Sequence, residues 1–326
     1  MRALITGCLG QDGMFLAELL KSKGYLVAGL TRGTSTTHPR FPEWSGDSLY
    51  QANILDMSSL QRTLDEVRPD EIYHLAAESH VGRSFKEPHH SFDVITRGTL
   101  NVLEAVRHSD YRSKVYLASS SEMFGGQSEQ ACTELTSFAP RSPYACAKLA
   151  AHTLGQTYRT AYNMFVCCGI LFNHESERRG PEFVTRKITM GLARIAAGDP
   201  TPIRLGNLKA RRDWGYAKDY VLGMWLMLQH NRPDDYVLAT GETRSIQDFL
   251  DAAWEPPNSH LVEIDPAFFR PAEVNVLIGD ASKARDILGW QPTTSFRDMV
   301  HRMVQHDRRL SEAKGLVNGQ GYQAHG

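Results

Sequence analysis

The sequence predicts an α/β fold: a doubly wound parallel sheet with a smaller mixed α/β carboxyl-terminal part. Three observations predict it. Apolar, β-prone runs alternate with amphipathic helical runs through the amino-terminal half, the pattern of parallel strands joined by helical crossovers. The first of these runs enters a glycine-rich turn that opens a helix. A late apolar run, Asp235–Thr240, suits a strand returning to the same sheet. With 326 residues the chain can bury a large core, as one domain or as two unequal ones. The expected division gives residues 1–172 to the first domain, with segments at about 214–244 returning to it. Residues 173–213 and 245–326 fall mainly in the second.

Ala3–Thr6 reads as the first strand, and GCLGQDG sets Gly7, Gly10 and Gly13 in the spacing GxxGxxG before the helical run MFLAELLKSKG. Strand, glycine turn and helix together form the context of a dinucleotide site. Glycines let the backbone approach a pyrophosphate, whose charge sits at the helix N-terminus. An ordinary βα turn is the plainer alternative. Tyr25–Leu30 is the second strand, and TRGTSTT after it carries Arg32 and no carboxylate. A carboxylate there would bind the ribose hydroxyl of NAD, whereas an arginine suits the 2′-phosphate of NADP, so NADP is expected.

Tyr50–Asp56 reads as a third strand with its exit, and Ser58–Val67 as an amphipathic helix. Glu71–Ala77 is a buried strand ending in small residues that allow close packing on a cofactor. Ser79, His80, Arg83 and Ser84 follow at its carboxyl end, where open α/β sheets bind ligands. His80 could act as a base, but a single histidine in a polar loop is more often a hydrogen-bonding residue. Thr99–Arg107 is the next helix.

Val115–Leu117 then leads into Ser119, Ser120, Ser121 and Glu122, and a polar loop reaches PYACAK. Pro143 suits a helix start, and Tyr144 and Lys148 stand four apart on one helical face, with Cβ atoms about 5–6 Å apart. An ammonium that close favours the phenolate and is expected to lower the tyrosine pKa from about 10 towards neutrality. Such a pair takes a proton from an alcohol while a hydride leaves its carbon, with Ser120 holding the alcohol and Glu122 as a second base. YxxxK alone is weak, because it arises by chance in many helices.

In the second half, GILFNHES begins as a buried strand and then leaves the sheet. Arg178, Arg179, Arg186 and Lys187 cluster after it in a chain whose charges nearly cancel, 36 basic against 37 acidic. Arg179 and Lys187 read as anion-binding and Arg178 as solvated. Arg212 precedes Asp213 and Trp214; its guanidinium suits a pyrophosphate, and Asp213 suits loop orientation. Val221–His230 reads as a core helix, and Ser245–Ala253 as a helix capped by Ser245 with Asp248. Ser282–Leu288, ending at Gly289, and Phe296–Arg308 complete the set, with a loosely ordered tail after Lys314.

The charge balance excludes a global field for nucleic acid or an anionic membrane. Cys8, Cys132, Cys146, Cys167 and Cys168 show no CxxC or framework spacing and read as reduced thiols of a cytoplasmic protein. No apolar run is long enough to span a bilayer, and strand-like ALIT begins too close to Met1 to leave room for a signal peptide.

The strings GCLGQDG, EIYHLAAESHVG, SSSEMFG, PRSPYACAK, GILFNHESERRGPEFVTRKI, RRDWGYAKDYV and DPAFFRPAEV resemble the extended short-chain dehydrogenase/reductase superfamily. Within it they look most like the GDP-mannose 4,6-dehydratases, from Ala3 to about Pro292. The superfamily shares the glycine motif and YxxxK, whereas NHES…RRG…FVTRK and RDWG.AKDYV are far narrower. The resemblance implies a Rossmann-type fold, NADP, a nucleotide-sugar substrate, no metal, and a homodimer or homotetramer. It implies dehydration of GDP-mannose by internal hydride transfer from C4 to C6. Related alternatives are dehydratases of GDP-heptose, dTDP- or UDP-hexoses, a GDP-4-keto-6-deoxy-mannose reductase, and a non-catalytic NADP-binding module.

Residue by residue, it implies Ser120 in place of the catalytic threonine, Glu122 as the C5 base, Tyr144 as the C4 base and Lys148 as partner of tyrosine and nicotinamide ribose. For the cofactor it implies Gly7, Gly10, Gln11, Asp12, Gly13, Arg32, Asn53, Ile54, Leu75, Ala76, Ala77, Ser79, His174 and Arg179, with Tyr144 and Lys148. For the substrate it implies Ser84, Asn173, Lys187, Arg212, Arg270 and Glu273. Gly33 stands where the family has a second arginine, Asn53 where an aspartate meets the adenine, and His90 where a tyrosine is common.

Overall fold

The computed structural model describes residues 1–33, 44–126, 130–254, 261–269, 271–272 and 274–320. The first crossover is β1 (Arg2–Thr6), α1 (Gln11–Ser22) and β2 (Leu26–Thr31). The third strand, β3, is Ser48–Gln51, earlier than expected. Asn53 ends it: its Oδ1 accepts from Leu55 N and its carbonyl from Asp56 N, bending the chain before α2 (Met57–Val67). Asp56 caps that helix through Ser58 N, a local bond that favours turn over strand.

β4 (Glu71–His74) stops three residues short of the expected Ala77, and α3 (Val81–Ser84) follows, N-capped by His80. α4 (Pro88–Phe92), a π turn at Asp93–Arg97 and α5 (Gly98–His108) make one nearly continuous rod. β5 (Lys114–Ser120), a 3₁₀ turn at Ser121–Phe124, α6 (Pro143–Ala161) and β6 (Val166–Leu171) complete the central crossover. Next come β7 (Asn173–Glu175), α7 (Val184–Ala196), β8 (Ile203–Leu205), β9 (Arg211–Tyr216), α8 (Ala217–Gln229) and β10 (Asp235–Leu238). β11 (Thr243–Ser245) is a short strand. It exists because it pairs antiparallel with β9, a long-range contact invisible to local pattern. α9 (Ile246–Ala253), β12 (Val262–Ile264), β13 (Val276–Leu277), α10 (Ser282–Leu288) and α11 (Phe296–Gln320) finish the chain. α11 continues past the expected end at Arg308 and past Lys314.

The main sheet has seven strands in the order β10-β6-β5-β4-β1-β2-β3, all parallel. β4, β6 and β10 are buried along their whole length, as strands covered by helices on both faces must be. One face packs α1 and α8, with Phe15, Leu16, Leu20, Tyr220, Met224 and Trp290 in its core. The other packs α2 and α5 through Leu60, Leu64, Val102 and Leu103. The helix over Val221–His230 is core, as expected. Smaller sheets, β11-β9-β13 with β7 on β9, and β12-β8, lie beyond the carboxyl end of β6, over the core of Trp214, Phe249, Met299 and Met303. Ser245 and Asp248 form the expected capping box of α9. No helix among the described residues is long and apolar enough to cross a membrane.

Candidate active site

The turn after β1 forms where no side chain fits. Gly7 has φ +68°, and a Cβ on it would lie 2.8 Å from Ala76 N; one on Gly13 would lie 2.6 Å from the Cys8 carbonyl oxygen. The turn after β1 thus abuts the exit of β4, and the first turn of α1 abuts that same turn. α1 begins at Gly10, extended, with no side-chain cap, so the first-turn N–H groups remain to be satisfied by a ligand. A pyrophosphate fits such a cradle. Leu75, Ala76 and Ala77 line its floor half-buried, while Arg32, Asn53 and Ser79 are exposed along the rim. Ile54 is buried, its side chain filling the space above Gly98.

β5 carries the chemistry to the same end of the sheet. Ser120 ends the strand and caps the 3₁₀ turn, its Oγ accepting from Glu122 N at 3.3 Å. α6 starts at Pro143 with Ser142 Oγ accepting from Ala145 N, which sets Tyr144 in its first turn and Lys148 one turn later. Ser120, Glu122, Tyr144 and Lys148 are all buried. Tyr144 hydrogen-bonds Ser120 and feels the charge of Glu122. Lys148 Nζ donates to the Ala118 carbonyl at 2.7 Å and lies 5.9 Å from the Tyr144 ring centroid.

The expected fall of the tyrosine pKa is not what the free site does. Burial pushes Tyr144 up to about 12, and the neighbouring Glu122 adds to the rise against the Ser120 hydrogen bond. Burial also pushes Lys148 down to about 8, although Asp12 draws it upward. Desolvation outweighs the i, i+4 attraction. Below Lys148, His74 is held neutral, pushed down to about 3 by burial and by that lysine. Thr99 Oγ1 donates to the Ile95 carbonyl, so it accepts from His74 Nε2–H, and Thr6 Oγ1 donates to His74 Nδ1.

Ser84, expected on the substrate, is wholly buried. Its hydroxyl donates to the Val81 carbonyl and accepts from Tyr144 N at 3.1 Å, so it pins the start of α6 instead. Sequence distance hid this role, since the partners lie 60 residues apart.

Asp12 and His174 meet at 2.8 Å, and His174 stacks on Tyr220 with centroids 4.6 Å apart. Burial opposes both charges, yet their attraction prevails: Asp12 stays below the usual carboxyl range and His174 rises above the usual imidazole. Gln11 is buried beside them. Arg179 pairs with Glu175 at 3.2 Å and lies over Phe183, 3.5 Å from the ring centroid.

Asn173 opens β7 opposite Trp214 of β9. Lys187 lies 3.5 Å above the Phe268 ring, and burial lowers its pKa. Arg212 is buried and donates to the Val274 carbonyl at 2.6 Å. Arg270 and Glu273 lie outside the described residues. His80, considered as a base, accepts from Arg83 N and caps α3. Asp213, as expected, orients a loop: its carboxylate accepts from Thr240 N, Thr240 Oγ1 and Gly241 N. Arg178, expected to be solvated, is instead stacked on Phe15 and paired with Glu18. Arg186 leaves the anion cluster altogether, because its fork closes on the buried Asp307 of α11 at 2.6–3.0 Å.

A family profile described as GDP-mannose 4,6 dehydratase matches residues 4–303. The chain is 48% identical to GDP-mannose 4,6 dehydratase 2 of Arabidopsis thaliana, over 98% of this chain and 90% of that one. It is 42% identical to a GDP-mannose 4,6-dehydratase of Vibrio cholerae, over 98% and 97%. Among solved structures, the UDP-glucose 4-epimerase of Thermus thermophilus in complex with NAD is similar, with TM-score 0.84, 26% identity, and coverage of 94% of this chain and 99% of that one.

Proposed function

The chain belongs to the GDP-mannose 4,6-dehydratase family, and from that premise we propose that it converts GDP-D-mannose to GDP-4-keto-6-deoxy-D-mannose with recycled NADP. The observation that carries the reading is the convergence of Ser120, Glu122, Tyr144 and Lys148 in one buried site beside the glycine cradle. The glycines that leave no room for a Cβ fit a dinucleotide there. When bound, the dinucleotide supplies a reversible two-electron acceptor and, oxidised, a positive charge that favours the Tyr144 phenolate.

Tyr144 takes the C4 hydroxyl proton, with Ser120 holding that oxygen and Lys148 stabilising the phenolate. The C4 ketone acidifies C5–H. Glu122 takes the C5 proton and delivers it to the C6 hydroxyl, which leaves as water. C4 ends oxidised and C6 reduced by the same electron pair, and the proton released at C4 balances the one restored to C5. Simple reduction or epimerisation has no use for a carboxylate in this position, so Glu122 favours dehydration.

The finer points belong to the same proposal. Arg32, exposed at the end of β2 with no carboxylate beside it, favours NADP over NAD. The seven-stranded sheet holds the dinucleotide, and the segments around β7–β9 and β11–β13 hold the nucleotide sugar, with Asn173, Lys187, Arg212, Arg270 and Glu273 as its contacts. A cytoplasmic location fits the chain's unpaired thiols, and the family resemblance implies a homo-oligomer. The test is product mass from GDP-mannose with catalytic NADP and no added reductant. Loss of one water is expected for the native protein and not for Glu122→Gln, whose dinucleotide affinity stays unchanged. Undiminished dehydration by Glu122→Gln removes the assignment.

A further inference from the structure

The first turn of α1 and the stretch formed by β7 and its exit are distant in sequence yet joined by three side-chain contacts. Gln11 Nε2 donates to the His174 carbonyl at 3.1 Å, and Gln11 Oε1 accepts from the Ser176 hydroxyl at 2.7 Å. Asp12 and His174 add the 2.8 Å contact described above. An amide engaged at both ends has one orientation. Ser176 is wholly buried, and its Oγ also accepts from Arg178 N at 3.0 Å, while its carbonyl accepts from Arg179 N at 3.0 Å. The stretch from Asn173 to Arg179 therefore hangs from the turn that forms the phosphate cradle.

We propose that Ser176 and Gln11 are positioning residues that lock the segment 173–179 to the dinucleotide cradle, so that dinucleotide and nucleotide sugar each strengthen binding of the other. The inference rests on the proposed function, which puts the two ligands on the two sides of this clasp. A pyrophosphate closing on the N–H groups of α1 immobilises its first turn. The Gln11 amide passes that order to β7 and its exit, and the second ligand then has less ordering left to do. Coupling between two binding equilibria is reciprocal. One buried hydrogen bond in the clasp corresponds to about a fivefold coupling.

The experiment titrates GDP into the full-length protein by calorimetry, alone and with saturating NADP⁺ or NAD⁺. The ratio of the two GDP dissociation constants is the coupling factor. A ratio of about five or more is expected for the native protein, falling to about one in Ser176→Ala and Gln11→Met, with no further loss in the double variant. Either single variant suffices should the other not fold. A merely structural role would lower Tm and weaken both titrations alike, leaving the ratio intact. A native ratio of one, or a ratio preserved in the variants, overturns the clasp while GDP and dinucleotide binding leave the proposed function standing. Failure of the native protein to bind GDP overturns both.

Discussion

Lys148→Met is the most informative single substitution, because its effect can be worked from geometry. Tyr144 reaches about 12 in the free protein. At pH 8 such a phenol is about four units from half-ionisation, or about 5 kcal/mol at roughly 1.4 kcal/mol per unit. The Lys148 ammonium lies 5.9 Å from the ring centroid. At that separation a unit charge contributes about 3 kcal/mol for an effective dielectric near 20, and the cationic ring of an oxidised dinucleotide can supply a comparable amount. The value of about 12 belongs to the phenol beside a Lys148 that has lost its proton, since that lysine titrates near 8, so both charges come on top of it and together reach the required total. Lys148 makes its share only while protonated, and burial sets that near pH 8. Lys148→Met should therefore raise the Tyr144 midpoint in the dinucleotide complex by about two units and lower kcat at pH 8 about 10²-fold, with recovery as pH rises. Phenolate absorbance of the native protein minus that of Tyr144→Phe isolates this one phenol among 12 tyrosines. A midpoint below about pH 9 in the free protein, or a complex midpoint unmoved in Lys148→Met, would refute the reasoning.

Asp307→Ala strands the buried Arg186 and should cost about 3–5 kcal/mol in denaturant unfolding, with Arg186→Met/Asp307→Leu regaining most of it. A loss below about 1 kcal/mol would mean that water reaches the pair. Gly7→Ala forces a Cβ to 2.8 Å from Ala76 N at φ +68°; a fluorescence titration should show dinucleotide affinity lost along with about 1–3 kcal/mol of stability. For the Asp12–His174 pair the signs are opposite. The raised His174 contributes stability that is full below its unfolded value of 6.5 and is lost as pH rises through its folded pKa. The lowered Asp12 contributes above its unfolded value of 3.8, and that is lost as pH falls through its folded pKa. The stability gap between native protein and His174→Gln should then be widest between about pH 4 and 6.5 and narrow on both sides; a gap flat with pH contradicts the pair.

Local signals carried helix starts and stops in both halves of the chain. The glycine turn, Pro143 before Tyr144, the Ser245–Asp248 box and Gly289 closing α10 each depend on neighbours a few residues away, and each sits where sequence put it. What sequence could not carry was contact between remote residues. Arg186 read as part of an anion cluster because nothing in its neighbourhood announces Asp307, 121 residues on. Ser84 read as a ligand residue because its partner, Tyr144 N, lies on another helix. The direction of the Tyr144 shift depended on burial, which a spacing of four does not encode. Gln11 and Ser176 belong with these, since a clasp spanning 165 residues leaves no periodic trace.

The π turn at Asp93–Arg97 holds one residue more than a regular helix would use over the same rise. It lets Ile95 lie against Tyr144, Ala147 and Ala151 while Thr96 Oγ1 donates to the Ala147 carbonyl at 3.1 Å. Deleting any one residue there would restore an ordinary helix and twist Pro88–Phe92 by about 100° relative to Gly98–His108. The wall behind the tyrosine thus works like a keyed shaft, whose single surplus tooth fixes the angle at which the two halves of the rod meet.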